Sequence, residues 1–591
     1  MSELHYETKT YDVLVIGAGG AGLRAAIEAS AQGVSVALVT KSLLGKAHTV
    51  MAEGGMAAAL GNVDAEDGWI PHFKDTMRGG KYMSNWRMAQ IHAQEAPERV
   101  KELESWGAVF DRTPDGKILQ RAFGGHTYRR LAHVGDRTGL ELIRTLQDKG
   151  IHCGIDVFME CTMTHLLKDG EAVSGAFGYW RESGRFVLFR AKSIIMASGG
   201  IGKSYKVTSN SWEYTADGHA LALRAGGELI DMEFLQFHPT GMVCPPSVRG
   251  LLVTEAVRGE GGHLLNNKGE RFMKHYDPER MELSTRDRVA LAIYEEVKAG
   301  RGTPNGGAFL DISHRGADYI KRKLPSMYHQ FMELGDVDIT KGPMEVGPTM
   351  HYTMGGIRVD AESQESVTVK GLYAAGECSG GLHGGNRLGG NSLSDLIVFG
   401  RRAGLYAAER AKQMTELPSI NPEEVKRYAA EVVAPFERDK SAETPFQVHA
   451  ELQEVMQAKV GIVREAKYLE EALDDLAKLR ERAKKVRVDG SRAYNPGWHL
   501  SHDLMNMIMV SEIVTRAALQ RPESRGGHTR IDIDIPKDVK TEWQYRTSVA
   551  TVSEGDAVQV GYFEKESMPK ELEALFNKAD EQQIVAEEGR L

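Results

Sequence analysis

Cysteine is scarce in this sequence, which limits the chemistry that the chain can carry by itself. Among 591 residues there are only four cysteines, and no two of them form a C-x-x-C pair. Disulfide scaffolds are short and dense in cysteine, and iron–sulfur clusters need several closely spaced thiolates. We therefore expect neither a disulfide framework nor an iron–sulfur cluster here, and a reducing, cytoplasmic setting fits. The cysteines are Cys153, Cys161, Cys244 and Cys378.

Long apolar runs and an excess of positive charge are missing as well. No uncharged stretch of about 18 apolar residues occurs, so no segment is predicted to span a membrane. The N-terminal sequence MSELHYETKT has no basic region followed by an apolar stretch, so a signal peptide is not expected. The net charge of -9 disfavours nucleic acid as a partner. Any association with a membrane is expected to depend on a partner protein.

Glycine, by contrast, is abundant. The chain contains 64 glycines, more than the usual share of about 7%, but only 19 prolines. This balance predicts many tight turns and close backbone approaches to ligands rather than disorder. The length exceeds what one hydrophobic core supports, so roughly two to four domains are expected.

The first glycine-rich turn lies inside a predicted β-α-β unit. An apolar strand over 11–16 precedes G-A-G-G-A-G at 17–22, and a helix then runs to about Gln32, where Gly33 ends it. A second apolar strand follows over 35–40. In such a motif the helix N-terminus faces the phosphates of a dinucleotide. The sequence therefore predicts a dinucleotide site at this turn.

The glycines of this turn have separate roles, and the surrounding sequence favours a flavin over NAD. Gly17 is expected to make the turn, Gly19 to admit a pyrophosphate, and Gly22 to let the helix pack on the strand. The second strand ends in Thr40-Lys41, without the Asp or Glu that binds the ribose in simple NAD sites.

Two later glycine-rich turns support the flavin prediction. Residues 197–202 read A-S-G-G-I-G and follow an apolar strand. Residues 371–378 read G-L-Y-A-A-G-E-C and place Glu377 at the carboxyl end of a predicted strand over 369–376. A carboxylate in that position is placed to accept a hydrogen bond from a ribityl hydroxyl.

The most informative stretch is H-G-G-N-R-L-G-G-N-S-L at 383–393. We expect a helix to start near Ser392, and such a helix start can support negative charge on a reduced flavin ring. Arg387 lies in the middle of this loop, and the fork of an arginine matches a carboxylate bidentately. The pattern predicts that Arg387 binds an acidic substrate.

Four further motifs supply histidines, arginines and other donors. They are Q-F-H-P-T-G at 236–241, L-V-T-E-A-V-R-G-E-G-G at 252–262, S-T-R-D at 284–287 and T-M-H-Y-T-M-G-G at 349–356. A dicarboxylate site needs several cations and donors that converge, and these segments offer them. No metal-ligand spacing connects the histidines, so no metal site is predicted. The candidate residues are His238, Thr254, Glu255, Arg258, Arg286 and His351.

Changes in composition along the chain predict its domains. Residues 1–234 and 352–435 share a glycine-rich α/β texture and form the predicted flavin-binding domain. Residues 235–351 contain long amphipathic stretches at 284–299 and 315–334 and are predicted to be an inserted domain. Residues 448–485 have the composition and periodicity of a helical bundle within a predicted domain over 436–540. The remaining domain is predicted over 541–591.

These motifs together resemble the flavoprotein subunits of succinate dehydrogenase and fumarate reductase. The similarity runs from about residue 10 to 410, weakens in the helical region, and returns at R-G-G-H-T-R over 525–530. Within the family, residues 42–60 resemble the actinobacterial-type branch most closely. The resemblance implies an α/β fold in which a Rossmann-like FAD-binding domain carries an inserted α+β capping domain and is followed by a helical domain and a small C-terminal domain. It also implies oxidation of succinate to fumarate.

The resemblance assigns roles to individual residues. His48, in A-H-T-V-M-A-E-G-G, aligns with the histidine to which the family attaches FAD covalently. Arg286 would carry the proton with Glu255 and Arg258 in a relay. The substrate carboxylates would be held by His238, Thr254, His351 and Arg387. The expected cofactor contacts are Gly17, Gly19, Gly20, Gly22, Thr40, Lys41, His48, Thr49, Glu53, Gly54, Gly55, Ala197, Gly199, Gly200, Asn210, Asp217, Glu377, Arg387, Ser392 and Leu393.

The resemblance also implies partners and leaves alternatives open. Besides succinate and fumarate, the expected partners are an iron–sulfur subunit and a membrane anchor with quinone, on the cytoplasmic side of the cell membrane. A fumarate reductase working in the opposite direction would use the same residues. L-Aspartate oxidase shares the scaffold but has no histidine at the position of His48. A soluble fumarate reductase with noncovalent FAD and a flavin-binding redox sensor are the remaining alternatives.

Overall fold

A mostly parallel sheet carries the first glycine-rich turn. The structure, a computed structural model, describes residues 5–553 and 555–576. Val13, Leu14 and Val15 are completely buried, as expected for a parallel strand that is covered on both faces. The strands lie in the order Asp156–Phe158, Val36–Val39, Tyr6–Ile16, Phe186–Met196, Ala172–Trp180 and Cys161–Asp169, and Leu372–Ala374 also pairs with Phe186–Met196.

The predicted β-α-β unit is confirmed. Tyr6–Ile16 pairs in parallel with Val36–Val39, and the helix Gly20–Ala31 connects them. Gly33 ends this helix with a φ of +79°, a conformation that favours glycine. The later strand also forms, as Leu372–Ala374.

A second, antiparallel sheet lies almost entirely within residues 235–351, which we call the lid, and its last strand extends to residue 353. Its strands are Leu235–Met242, Met344–Thr353, Ala308–Asp311 and His263–Leu265, in that order across the sheet. Most of a separate hydrophobic cluster belongs to the lid, with Phe272, Ile293 and Phe331 among its members. The lid therefore has the independent core expected of an inserted domain, although its predicted boundaries stay a prediction.

The two amphipathic stretches of the lid fold differently. The first forms one helix, Arg286–Lys298. The second forms two helices, Ala317–Lys323 and Pro325–Gly335. Proline lacks an N–H and is favoured in the first turn of a helix, so Pro325 starts the second helix instead of continuing the first.

Long helices follow the second half of the flavin-binding region. Pro445–Lys459, Ala466–Ala483 and Pro496–Gln520 pack on one another and confirm the predicted bundle over 448–485. The longest, Pro496–Gln520, buries residues around its whole circumference, which is typical of a helix in the centre of a bundle.

The tail folds back on the flavin-binding region. Arg546–Ser553 and Ala557–Glu564 form a hairpin, and Arg546–Ser553 also pairs with Leu229–Ile230. Gly356–Ile357 completes this four-stranded sheet. Residue 554 and residues 577–591 of the predicted C-terminal domain lie outside the described residues.

The remaining elements are a few short strands and several further helices, which lie around these sheets. Met56–Ala57, Leu131–Ala132 and Gln120–Arg121 form a small sheet. Within residues 5–553 and 555–576, no helix has the length and apolar character needed to cross a membrane. The other α-helices are Trp69–Gly79, Trp86–Ser105, Thr138–His152, Asp217–Arg224, Ala256–Gly259, Met273–Tyr276, Asn391–Gln413, Pro422–Val433 and Lys570–Glu573.

Candidate active site

The glycine turn after the first strand has no room for side chains. Gly17 has a φ of +114°, and a Cβ added there would lie 2.2 Å from the carbonyl oxygen of Ala197. A Cβ on Gly22 would lie 1.8 Å from the carbonyl oxygen of Gly17. Gly19 caps the helix Gly20–Ala31 without any side-chain hydrogen bond. The turn therefore presents bare backbone and a helix N-terminus, which together can bind a pyrophosphate.

This turn opens onto a long cavity that gathers most of the predicted cofactor residues. Gly22, Glu53, Gly54, Gly55, Gly200 and Asn210 are not part of its wall. Other residues of the wall include Tyr214 and Tyr352, which the sequence motifs did not single out. The predicted residues that line the cavity are Gly17, Gly19, Gly20, Thr40, Lys41, His48, Thr49, Ala197, Gly199, Asp217, His351, Glu377, Arg387, Ser392 and Leu393.

Lys41 follows the second strand, which lacks an acidic residue at its end. Its ammonium lies 2.7 Å from Asp217 and 3.4 Å from Asp503, and it donates to the hydroxyl of Thr215 at 2.5 Å. Burial opposes the positive charge, but the two carboxylates more than offset this, and the pKa of Lys41 is raised. The cavity therefore holds a fixed cation at this end.

Glu377 lies where the sequence placed it, at the end of a strand of the main sheet. Its carboxylate accepts a hydrogen bond from the backbone N–H of Thr353 at 3.0 Å. Burial raises its pKa to about 8. A buried acceptor or hydroxyl of this kind is suited to a polar group of a ligand.

His48 is held against the cavity by its neighbours. The backbone N–H of Ser211 donates to its Nδ1 at 3.3 Å, and the amide nitrogen of Asn210 lies 3.2 Å from its Nε2. The ring of Tyr214 packs edge-on, with ring centres 4.7 Å apart. Burial, helped by the charges of Lys203 and Arg387, lowers the pKa of His48 to about 4. The imidazole is therefore neutral at neutral pH and keeps a nucleophilic nitrogen.

The loop after His48 is held by an arginine that the sequence analysis missed. Arg121 donates to the carbonyl oxygens of Glu53 and Gly135 at 3.0 and 2.8 Å, and its Nε donates to that of Gly54 at 2.8 Å. The carboxyl of Glu53 is buried, and burial together with Asp136 raises its pKa well above the usual range. The signal in the sequence was the R-A-F-G-G stretch that Arg121 begins.

Two histidines meet at the boundary between the cavity and the lid. The ring centres of His238 and His351 are 5.0 Å apart. Ser209 Oγ lies 2.8 Å from His351 Nδ1, and the backbone N–H of Thr240 donates to His238 Nδ1 at 3.2 Å. Burial and the nearby cations hold the pKa of both histidines well below the usual range. Both rings are thus neutral, and each can offer a hydrogen bond to an anion.

Arg387 is buried beside these histidines. Its Nη1 donates to Ser392 Oγ at 2.7 Å, and its guanidinium lies 4.1 Å from the ring centre of Tyr352. Its Nε has no hydrogen-bond partner among the described residues. Burial and the repulsion from Arg286 lower the pKa of Arg387 to about 9, so it remains charged at neutral pH. A buried cation with a free donor fits an anionic ligand.

The predicted relay residues are in contact, with Glu255 between the two arginines. Arg286 Nε donates to Glu255 Oε2 at 2.7 Å, and Arg258 Nη2 lies 3.5 Å from the same oxygen. The backbone N–H of Gly124 donates to the other oxygen of Glu255 at 2.8 Å. The charges of Arg258 and Arg286 overcome the effect of burial and lower the pKa of Glu255. The carboxylate is therefore ionised between two arginines, and Thr254, also buried, precedes it in the chain.

Gln236 joins the relay to the Arg387 loop. Its side-chain oxygen accepts from Arg286 Nη1 at 3.1 Å, and its nitrogen donates to the carbonyl oxygen of Arg387 at 2.7 Å. The residue begins the Q-F-H-P-T-G motif, but amide side chains have no pKa or charge by which to single it out. The structure thus brings all the predicted catalytic and substrate-binding residues to one region next to the cavity.

Comparison with known proteins agrees with this geometry. Residues 12–393 match the family described as FAD binding domain, and residues 449–581 match the fumarate reductase flavoprotein C-terminal family. The match shows that the chain has an FAD-binding domain, and the glycine turn, the lysine and the buried acceptor of the cavity suit such a ligand. Within the described residues, no group of three or more histidine, cysteine, aspartate or glutamate side chains is arranged to hold a metal ion.

Individual relatives cover almost the whole chain. A solved structure of Sdh1 from Mycobacterium smegmatis in complex with UQ1 has 57% identity and a TM-score of 0.87, over 98% of both chains. The succinate dehydrogenase flavoprotein subunit of Coxiella burnetii is 39% identical over 89% of this chain and 92% of the relative. The fumarate reductase flavoprotein subunit of Haemophilus influenzae is 36% identical over 94% of both chains. The chain therefore belongs to the family of succinate dehydrogenase and fumarate reductase flavoprotein subunits.

Proposed function

We propose that this chain is the flavoprotein subunit of a succinate:quinone oxidoreductase and oxidises succinate to fumarate. The observation that carries this proposal is the convergence of His238, His351 and Arg387 with the Arg286–Glu255 pair beside the FAD cavity. Bound FAD would supply the acceptor for a hydride from one methylene carbon of succinate. The protein must hold the dicarboxylate and take away the one proton, which leaves the other methylene carbon.

The two carboxylates of succinate are held by Arg387 and by the neutral donors His238, His351 and Thr254. Arg387 supplies the charge, since it remains protonated at neutral pH with a pKa of about 9. Neutral histidines add hydrogen bonds without adding repulsion among the cations. The lid contributes His238 and Thr254, so its closure excludes water and aligns the substrate.

Arg286 takes the proton that leaves the other methylene carbon. An arginine has an ordinary pKa of about 12.5–13.8 and is a poor base alone. Its contact with Glu255, and that of Glu255 with Arg258, lets a proton leave Arg286 as another arrives. A relay of this kind needs a buried carboxylate between two guanidiniums, which is the arrangement around Glu255.

FAD is attached covalently through His48. The support is that His48 lines the cavity, is neutral, and is fixed by Asn210, Ser211 and Tyr214. Succinate is a weak hydride donor, so a flavin with a higher potential is needed. Each 30 mV of potential is worth roughly 1.4 kcal/mol for a two-electron couple, and a substituent on the ring methyl that withdraws electrons acts in the required direction.

The electrons leave to partner proteins. The four cysteines are dispersed, and none is predicted to ligate a cluster. We infer that an iron–sulfur subunit accepts the electrons and that a membrane anchor with quinone holds both on the cytoplasmic side of the cell membrane. The quinone-bound state of the Mycobacterium smegmatis relative supports this assignment for this chain.

The reverse reaction is the second candidate. Relatives named for each direction match over most of the chain, and microscopic reversibility requires the same residues in both directions. The partners of the complex set the direction. Comparing succinate oxidation with fumarate reduction in the purified complex would distinguish the two.

The proposed reaction is tested by adding succinate to the purified protein with a soluble redox dye. Reduction of the dye, with competitive inhibition by malonate, is expected. L-Aspartate in place of succinate serves as the discriminating control. Dye reduction or peroxide formation with L-aspartate but not with succinate would assign the chain to the oxidase instead, and no turnover with either would favour the sensor.

A further inference from the structure

A buried polar cluster lies directly beneath Arg387. The ring of Tyr352 faces the guanidinium at 4.1 Å. The hydroxyl of Tyr352 lies 3.2 Å from His383 Nε2 and 3.5 Å from Asp395 Oδ2. His383 Nε2 and Asp395 Oδ2 are themselves 3.3 Å apart. All four side chains are buried.

The members of this cluster come from different parts of the fold. Tyr352 follows His351 in the strand Met344–Thr353, by which the chain leaves the lid. His383 begins the loop that carries Arg387, and Asp395 lies in the second turn of the helix Asn391–Gln413. The phenol therefore joins the lid strand to both ends of the Arg387 loop.

The cluster stabilises the charged form of the Arg387 guanidinium. Burial and the charges of Asp395 and Glu377 raise the pKa of Tyr352 well above the usual range, so its hydroxyl is a donor and its ring is neutral. The face of an aromatic ring attracts a guanidinium, and this attraction is larger where water is excluded. It acts against burial and against the repulsion from Arg286, both of which disfavour the charged guanidinium.

We propose that Tyr352, His383 and Asp395 are positioning residues for substrate binding: the His383–Asp395 pair fixes the phenol, and the ring of Tyr352 holds Arg387 in place and in its charged form. The proposal rests on the proposed role of Arg387 as the carboxylate anchor. It adds that the affinity of this anchor depends on three residues that do not themselves touch the substrate.

The test measures malonate binding to the purified holoenzyme complex across the alkaline pH range, by the change in flavin absorbance. Tyr352→Leu removes the ring face and should weaken malonate binding roughly 2- to 30-fold, the range of a cation–π contact. Because Arg387 must be protonated to bind a dianion, the loss of malonate affinity should also begin at a lower pH than in the parent. Tyr352→Phe keeps the ring face and should have a smaller effect on both.

Two further variants separate positioning from packing. Asp395→Asn and His383→Gln keep the ring of Tyr352 but loosen its hydroxyl, and each should raise the succinate KM more than it lowers kcat. Tyr373→Phe is the matched control, because it removes a buried hydroxyl that donates to the carbonyl oxygen of Tyr406, away from Arg387.

The outcomes are distinguishable. Three variants are compared with the Tyr373→Phe control: Tyr352→Leu, Asp395→Asn and His383→Gln. The proposal would be overturned if all three bound malonate as tightly as the control and up to the same pH. If Tyr352→Leu fails to retain flavin, the malonate affinity of Asp395→Asn and His383→Gln, and the pH at which it is lost, decide instead. Failure of the parent complex to bind malonate or oxidise succinate would instead contradict the proposed function.

Discussion

The two ends of the active site are built in opposite ways. At the pyrophosphate end the wall is backbone, and glycines such as Gly17 and Gly22 leave no room for side chains. At the substrate end the wall is made of charged and polar side chains, with Arg286 supplied by the lid and Arg387 by the flavin-binding domain. The first end depends on local shape. The second depends on side chains from distant segments. Single substitutions there should therefore abolish substrate binding or proton transfer separately.

Gly22→Ala should give the largest effect and affects the cofactor end alone. The added methyl would lie 1.8 Å from the carbonyl oxygen of Gly17, so the helix and the first strand cannot keep their distance. We expect a protein without flavin or an insoluble one, measured by the ratio of flavin to protein absorbance. Gly33→Ala is the control. Its Cβ would meet nothing within 4 Å, and only its φ of +79° is strained, at a cost of about 1–2 kcal/mol. Equal flavin loss in both variants would refute the steric argument.

Arg286→Gln should leave the cofactor end intact and stop the chemistry. A positioned acid or base contributes about 10²–10⁴ in rate, so turnover should fall by at least that factor while flavin content and malonate binding survive. Arg288→Gln is the control on the same helix, where Arg288 lies 3.8 Å from Asp277. Near-normal turnover of the Arg286 variant would move the proton carrier elsewhere.

Arg387→Ala should remove binding rather than chemistry. Loss of one partner of a buried charged contact costs about 2–5 kcal/mol, so the malonate Kd should rise by the corresponding factor at neutral pH. In the parent, malonate affinity should fall as the pH rises through about 9, where Arg387 loses its proton. Malonate binding as tight in the variant as in the parent would exclude Arg387 as the anchor.

His48→Ser tests the boundary between the two ends. The parent should show a fluorescent band on a denaturing gel under ultraviolet light after acid treatment, and the variant should show none. FAD should still bind noncovalently, because the glycine turn and Lys41 are unchanged. Fumarate reduction should persist while succinate oxidation falls, since the flavin loses potential. A non-fluorescent parent band would disprove the covalent link.

The same division explains what the sequence could predict. The β-α-β unit and the bundled helices follow from local periodicity and glycine spacing, and the structure contains both, whereas the bounds of the lid stay a prediction. Glu255 and Arg387 were predicted because charged residues in glycine-rich motifs are conspicuous, and the role of Arg286, in S-T-R-D, came from the family resemblance. Gln236 and Arg121 were missed because their roles depend on contacts with segments that are distant in the sequence, such as the 2.7 Å bond from Gln236 to the carbonyl oxygen of Arg387.

Sequence periodicity has a second limit as a predictor of structure. The helix break at Pro325 and the pairing of the tail with Leu229–Ile230 both show it. Periodicity describes which face of a segment is apolar, but not where a helix ends or which strand a distant hairpin joins. The proline could have been read as a helix start. The tail pairing could not, because the strand that it joins is only two residues long.

The smallest effect should come from Asp503, which extends the cofactor end into the helical bundle. Burial raises its pKa to about 6, although Lys41 is 3.4 Å away. The unfolded value is about 3.9. A group whose folded pKa is raised contributes stability at low pH and loses it as the pH rises through the folded pKa, so Asp503 should destabilise the fold by on the order of 3 kcal/mol above about pH 6.

Asp503→Asn should remove this pH dependence while Lys41 keeps Asp217 as its partner. We expect its midpoint of thermal unfolding to fall less than that of the parent between pH 4 and 6. Asp474→Asn, an exposed position on a neighbouring helix, should behave like the parent. A steeper fall for Asp503→Asn would show that the ion pair with Lys41 outweighs the cost of burying the second carboxylate, and that this end of the site depends on charge as much as the substrate end does.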